Sequence, residues 1–140
     1  MNTKTKDLRA VVEQIKRKEG ITCGVVVDAG VLNYIRKKIA KKLVLPDEFY
    51  TLAQQLNGIC SDSAELYALN VKGQPGYFTD VVKANKEKAS SEQIVLGETE
   101  FDTLVYLPTE QRYELQDRFS GSSVAVFPDL AEALAYLFGV

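Results

Sequence analysis

The sequence predicts an α+β fold, a twisted and mainly antiparallel sheet with helices packed on one face, in one domain spanning residues 1–140. Three observations predict it. Helical periods dominate the first third of the chain. Period-two alternation dominates the stretch from Gln93 to Arg118, and one last helical period follows it. The length suits one domain with a real core, and 46% apolar against 26% charged residues is ordinary for a water-soluble chain.

The chain opens with an amphipathic helix over residues 5–19. Leu8, Val11, Val12 and Ile15 fall at i, i+3, i+4 and i+7, and Gly20 after Lys16-Arg17-Lys18 suits a helix end. Residues 21–27 are short, apolar and β-branched, and fit a strand or a packed connector. Asp28 can cap a second helix to about Lys42, with Val31, Leu32, Ile35 and Ile39 inward. Its outer faces carry Arg36, Lys37, Lys38, Lys41 and Lys42.

Leu45-Pro46-Asp47-Glu48 starts a third helix with Phe49, Leu52, Ala53 and Leu56 buried, and Asn57-Gly58 stops it. Ile59 to Asp62 lead into a short strand, Glu65 to Leu69. Residues 72–76 read as a loop, 77–86 as a helix with Phe78, Val81 and Val82 inward, and 85–91 as an exposed lysine-rich loop.

Ile94, Val95 and Leu96 begin the central sheet, and residues 97–100 turn towards a hairpin. In that hairpin Asp102, Leu104 and Tyr106 alternate with Thr103, Val105 and Leu107. Tyr113 and Leu115 interleave with Arg112, Glu114 and Gln116. A two- or four-residue loop gives one register, pairing residues whose numbers sum to 219. Tyr106 then faces Tyr113 and Leu104 faces Leu115. Asp102 faces Asp117, a like-charge pair that requires the strands to splay or a positive group to sit there. Ser120 to Ser123 turn into Val124–Phe127. Pro128-Asp129 starts a closing helix with Leu130, Ala133, Leu134, Leu137 and Phe138 inward.

Charge is polarised along the chain. Residues 1–42 hold eleven Lys/Arg against four acids, giving +7; residues 43–140 hold six against fifteen, giving −9, for the net −2. Such asymmetry can mark a partner surface. There is no histidine, which removes the commonest general base and metal ligand. Cys23 and Cys60 lack metal-ligand spacing and read as two small buried apolar residues. No cofactor and no catalytic site are expected. The charged N-terminus has no apolar segment of a signal peptide and no run approaches a membrane span, so the expected location is the cytoplasm.

The segments LPDEFYTLAQQLNG, ELYAL, IVLGETEFDTLVYLPTEQRYELQD and VFPDLAEALAYLF, in this order over residues 45–140, resemble the SUKH superfamily. The features that carry the resemblance are Leu45-Pro46, Asn57-Gly58, Leu66-Tyr67, Gly97, Tyr106, Tyr113, Asp117, Phe127 and Leu130-Leu134-Leu137. Within that group the chain looks most like small bacterial YrhA-type proteins, although it lacks the tryptophan many members carry. The superfamily includes yeast cell-wall glucan-synthesis regulators and many bacterial immunity proteins. The resemblance implies a non-enzymatic protein that binds a cognate toxin, often a nuclease.

Nucleases attract phosphate with a basic face, so an inhibitor presenting carboxylates can associate by electrostatic steering. The expected partner-binding residues are Asp62, Glu65, Tyr67, Glu98, Glu100, Asp102, Glu110, Glu114 and Asp117, with Tyr77, Tyr106 and Tyr113 as further aromatic anchors. Two alternatives stand beside this reading. One is a SUKH-type regulator or scaffold without a toxin. The other is nucleic-acid binding through the basic helices, weakened by the absence of a recognisable motif and of stacking aromatics among their lysines.

Overall fold

The computed structural model describes residues 7–74, 76–86 and 92–140. Its elements are α1 (Leu8–Arg17), β1 (Thr22–Cys23), α2 (Ala29–Ile39), α3 (Asp47–Ala53), β2 (Ile59–Cys60), β3 (Ala64–Leu66), α4 (Val81–Asn85), β4 (Ile94–Thr99), β5 (Asp102–Leu107), β6 (Arg112–Asp117), β7 (Ser123–Phe127) and α5 (Leu130–Phe138). The strands form one seven-stranded sheet in sequence order, each antiparallel to its neighbour. The fold is α+β, as the sequence predicts.

The hairpin has the expected register. Tyr106 faces Tyr113, Leu104 faces Leu115 and Asp102 faces Asp117. The two tyrosine rings stack in a tilted pair with centroids 5.1 Å apart. Leu104, Tyr113 and Leu115 lie buried on one side, where Phe127 and Ile94 join them through the β6–β7 and β4–β5 registers. Helix α5 covers this side; its Leu130, Ala133, Leu134, Leu137 and Phe138 are all buried. Complete burial of a Leu or Phe side chain contributes roughly 1.5–3 kcal/mol, so this stripe is a main source of the core's stability.

Polar groups fix how the helices sit. Glu48, in the first turn of α3, accepts from the Tyr113 hydroxyl at 2.9 Å and from the Leu130 N–H at 3.2 Å. One carboxylate thereby joins α3, β6 and the start of α5. Lys18, just past α1, donates to the carbonyls of Phe138 and Gly139 at the end of α5. Asp28 caps α2 as expected, and Asp7, Asp80 and Asp129 cap α1, α4 and α5.

Several boundaries differ from the sequence prediction. Residues 5 and 6 of the first predicted helix lie outside the described residues. Helix α2 ends at Ile39 rather than near Lys42, because the chain closes into a turn with Lys42 N–H on the Ile39 carbonyl. Helix α3 stops at Ala53, and Asn57 is not a helix stop. It is buried, and its amide bonds both the N–H and the carbonyl of Leu69 at 2.8 Å.

The helix predicted over 77–86 shortens to Val81–Asn85. Asp80 caps it, leaving Tyr77 exposed. Asn85, predicted in an exposed loop, is buried. Its amide bonds the Val81 carbonyl and both backbone groups of Val95, satisfying β4 where β3 has turned away. The remainder of that predicted loop, residues 87–91, lies outside the described residues, as does Pro75.

The turn predicted over 97–100 is instead strand as far as Thr99, with a register shift between Val95 and Gly97. Gly97 is required there, since a Cβ would stand 2.5 Å from the Glu65 carbonyl oxygen on β3. The second face of the sheet is not open at its centre. Val95 and Val105, paired across β4 and β5 on that side, are 4% and 1% exposed. What stays open is the β7 edge of that face, where Val124 and Val126 are about half exposed, and the end of the sheet where the turns 61–63, 100–101 and 118–122 gather.

Candidate functional site

The antiparallel order brings three turns to one end of the sheet. The β2–β3 turn carries Asp62. The β4–β5 turn carries Glu100 and Phe101. The β6–β7 turn carries Arg118 and Phe119. Glu65 and Glu98 face each other across β3 and β4 just below, and Asp102 and Asp117 face each other across β5 and β6. Over residues 60–66, 97–103 and 116–123 there are six carboxylates, Asp62, Glu65, Glu98, Glu100, Asp102 and Asp117, against one cation, Arg118.

Glu98, Glu65 and Asp117 are each held by different partners. Glu98 accepts from the Tyr67 hydroxyl at 2.9 Å on one oxygen and from the Arg118 guanidinium at 2.8 Å on the other. The same guanidinium nitrogen donates to the Thr99 carbonyl at 2.6 Å. Burial, with the hydrogen bond to Glu98 behind it, pushes the Tyr67 hydroxyl well above the usual tyrosine range. Glu65 accepts from the N–H and the hydroxyl of Thr79 at 2.8 and 3.1 Å, which fixes the segment ahead of α4. Asp62 and Glu100 are exposed.

Asp102 and Asp117 oppose each other without the strands parting and without a basic side chain between them. The Asp117 carboxylate instead turns into its own bend, where one oxygen accepts the N–H groups of Phe119 and Ser120, both at 2.9 Å. These backbone donors, Ser120 first, hold its carboxyl below the usual carboxylate range. The positive group that the pair required is backbone N–H.

The expected site residues therefore divide. Asp62, Glu65, Glu98, Glu100, Asp102 and Asp117 come together. Glu110 and Glu114 do not. They flank Arg112 at 3.3 and 3.7 Å, with Glu110 in the β5–β6 turn at the opposite end of the sheet. Tyr67 is 7% exposed, so it positions Glu98 and offers no surface. Tyr113 is buried against Glu48, and Tyr106 packs on Tyr113. Tyr77 is exposed but belongs to another surface. The exposed aromatics at the acidic end are Phe101 and Phe119, which sequence reasoning missed. Both fall in polar turns, and an apolar residue between turn formers was the available signal.

A shallow depression of about 390 Å³ lies among Cys60, Asp62, Glu65, Glu98, Glu100 and Arg118. Burial, then the charges of Glu65 and Asp62, pushes the Cys60 thiol up, which keeps it protonated. A separate cleft of about 660 Å³, lined by Thr22, Val25, Asn70, Tyr77, Phe78 and Lys83 among others, shares no residue with it. Cys23 and Cys60 are both free and half-buried. Among the described residues, no group of three or more His, Cys, Asp or Glu is placed to hold a metal ion, and no helix is long and apolar enough to cross a membrane.

The basic surface has its own geometry. Tyr34, Lys37, Lys38 and Lys41 fall at i, i+3, i+4 and i+7 along α2 and the turn after it, on the side away from buried Leu32 and Ile39. Tyr34 is 67% exposed, so an aromatic does stand among these lysines, contrary to the expectation from sequence. Arg36 points elsewhere, pairing with Asp47 and lying 4.6 Å over the Tyr50 ring. No protein-family model matches the chain, and comparison with curated proteins finds no relative.

Proposed function

We propose that this chain is a non-enzymatic protein-binding module, in its specific form a SUKH-type immunity protein that binds and neutralises a cognate toxin with a basic active face, in the cytoplasm. The observation that carries the reading is the imbalance at one end of the sheet, six carboxylates against Arg118 alone. A basic nuclease face meets such a surface by electrostatic steering, and carboxylates stand in for the phosphates it normally attracts. The segment order over residues 45–140 supports the superfamily. A regulator or scaffold of the same type, with a basic protein partner other than a toxin, uses the same surface.

The test is co-expression with the product of a neighbouring toxin-like reading frame. The expected outcome is restored growth and a stable complex whose association rate falls as salt rises. Asp62→Lys with Glu100→Lys is the informative variant, because both side chains are exposed and folding does not depend on them. Reversing Glu98 is less informative, since it also frees Tyr67 and Arg118. Unchanged association by the double variant sinks the acidic-end reading.

A second reading has one observation in its favour, the Tyr34 and lysine stripe on α2. An exposed ring among unpaired ammonium groups suits single-stranded nucleic acid. Salt-sensitive retention of a labelled oligonucleotide, lost with Tyr34→Ala and Lys37→Ala, supports it. No retention at low salt removes it.

A further inference from the structure

Phe101 and Phe119 are 61% and 85% exposed, values that leave most of each ring in water. Phenylalanine is among the residues most often buried, and two such rings on adjoining turns need a reason. The turns are not loose. The Arg118 N–H donates to the Phe101 carbonyl at 2.8 Å, so the two backbones are one hydrogen bond apart. The Phe119 N–H is held by Asp117 at 2.9 Å, and the Gly121 N–H by the Asp117 carbonyl at the same distance. Gly121 supplies the left-handed conformation this bend needs, at φ 76°. Across the gap, Arg118 clamps the Thr99 carbonyl, and the Asp102 N–H donates to the Thr99 hydroxyl at 3.0 Å.

We propose that Phe101 and Phe119, carried on two adjoining hydrogen-bonded turns, form an apolar anchor for a partner protein whose contact surface is an apolar recess rimmed by Lys or Arg. The proposal rests on the acidic-end reading above and names the contact that gives it grip. Carboxylates steer and orient, while aromatic rings desolvated at the centre of an interface carry most of the affinity. Because the backbone of both turns is already tied down, what remains to be ordered on binding is the two side chains. The charge around the rings selects the occupant. A second copy of this chain brings the same carboxylates and is repelled. Nucleic acid and anionic lipid are repelled for the same reason, and a basic protein surface is attracted.

The probe is a random-peptide phage library panned on the immobilised full chain. The expected winners share an aliphatic or aromatic residue flanked by Lys or Arg. A synthetic consensus peptide binds Phe101→Ser and Phe119→Ser at least tenfold more weakly each, while Phe119→Leu keeps most of the affinity. Thermal melts of these variants match the original chain, since neither ring supports the core. Winners that bind the Phe101→Ser/Phe119→Ser chain unchanged overturn the proposal, as does failure to recover any phenylalanine-dependent peptide. Phenylalanine-dependent winners without basic residues overturn its partner chemistry. Phenylalanine-dependent self-association in sedimentation does the same. Asp62→Lys/Glu100→Lys separates the two ideas. Binding that needs the rings but survives the reversal keeps the anchor and sinks the acidic-end reading. Binding that needs the carboxylates alone does the opposite.

Discussion

Asp102 and Asp117 stand directly opposite each other on β5 and β6, and the strands stay paired while one Asp117 oxygen accepts the N–H groups of Phe119 and Ser120. A like-charge pair is tolerated where one member has backbone donors of its own.

That arrangement predicts an acid-side stability loss. The folded Asp117 carboxyl titrates below its unfolded value, so its contribution is present above about pH 4 and disappears as pH falls through the lower folded value. Urea midpoints between pH 2 and 5 should fall less steeply in Asp117→Ala than in the original chain. Equal slopes show that the turn draws nothing from the charge.

On the alkaline side the sign reverses. Burial and Glu48 raise the Tyr113 hydroxyl, and burial and Glu98 raise Tyr67. Their contribution is intact below about pH 10 and is lost above it, as the unfolded tyrosines ionise while the folded ones hold their protons. Each such group steepens the loss by up to about 1.4 kcal/mol per pH unit. Tyr113→Phe should flatten the decline between pH 10 and 12 and, by freeing Glu48, lower stability at pH 7. An unchanged slope counts against the shift.

The buried amides make a sharper prediction. Asn57→Ala leaves the N–H and carbonyl of Leu69 unpaired, and Asn85→Ala does the same to Val95. Each orphaned group costs about 1–3 kcal/mol, so both variants should unfold at clearly lower denaturant. Asn57→Asp should be worse than Ala, because it turns an acceptor towards the Leu69 carbonyl. A loss under about 0.5 kcal/mol points to water filling the site.

Gly97→Ala tests the closeness of β3 and β4. The added methyl meets a backbone oxygen, which no rotamer can move aside. The expected cost is about 1–3 kcal/mol, with the β3–β4 amides losing hydrogen-exchange protection first. Uniform protection shows that the bulge absorbs the methyl.

What could be read from the sequence follows from how strongly each pattern was constrained. The β5–β6 register was legible because Tyr106 with Tyr113 and Leu104 with Leu115 agree on one pairing. Helix α5 was legible because its apolar stripe follows a proline and a capping aspartate. Strands β1 and β2 have two residues each, too few to show a period, and exist because longer neighbours give them something to pair with. Asn57 and Asn85 looked like turn and loop residues, and only the third dimension shows which backbone groups their amides satisfy. At the site, the carboxylates were visible but their bonds were not. Tyr67 and Glu98 are 31 positions apart, and Arg118 reaches Glu98 across 20. Tyrosine drew attention as the usual interface aromatic, whereas here Tyr67 and Tyr113 are buried and phenylalanines occupy the tips.

The sheet's strand order equals its sequence order, and that has a kinetic consequence. Each strand can be added to a hairpin that already exists, by closing a connection much shorter than the chain. Docking of α1 on α5 is different, since Lys18 meets a carbonyl 121 positions away. Long loops close late because their entropy must be lost before any contact compensates it. The meander should nucleate through β4, β5 and β6, with α1 arriving last. Substitutions at Leu104 or Leu115 should then slow folding, and substitutions at Val12 or Ile15 should mainly speed unfolding.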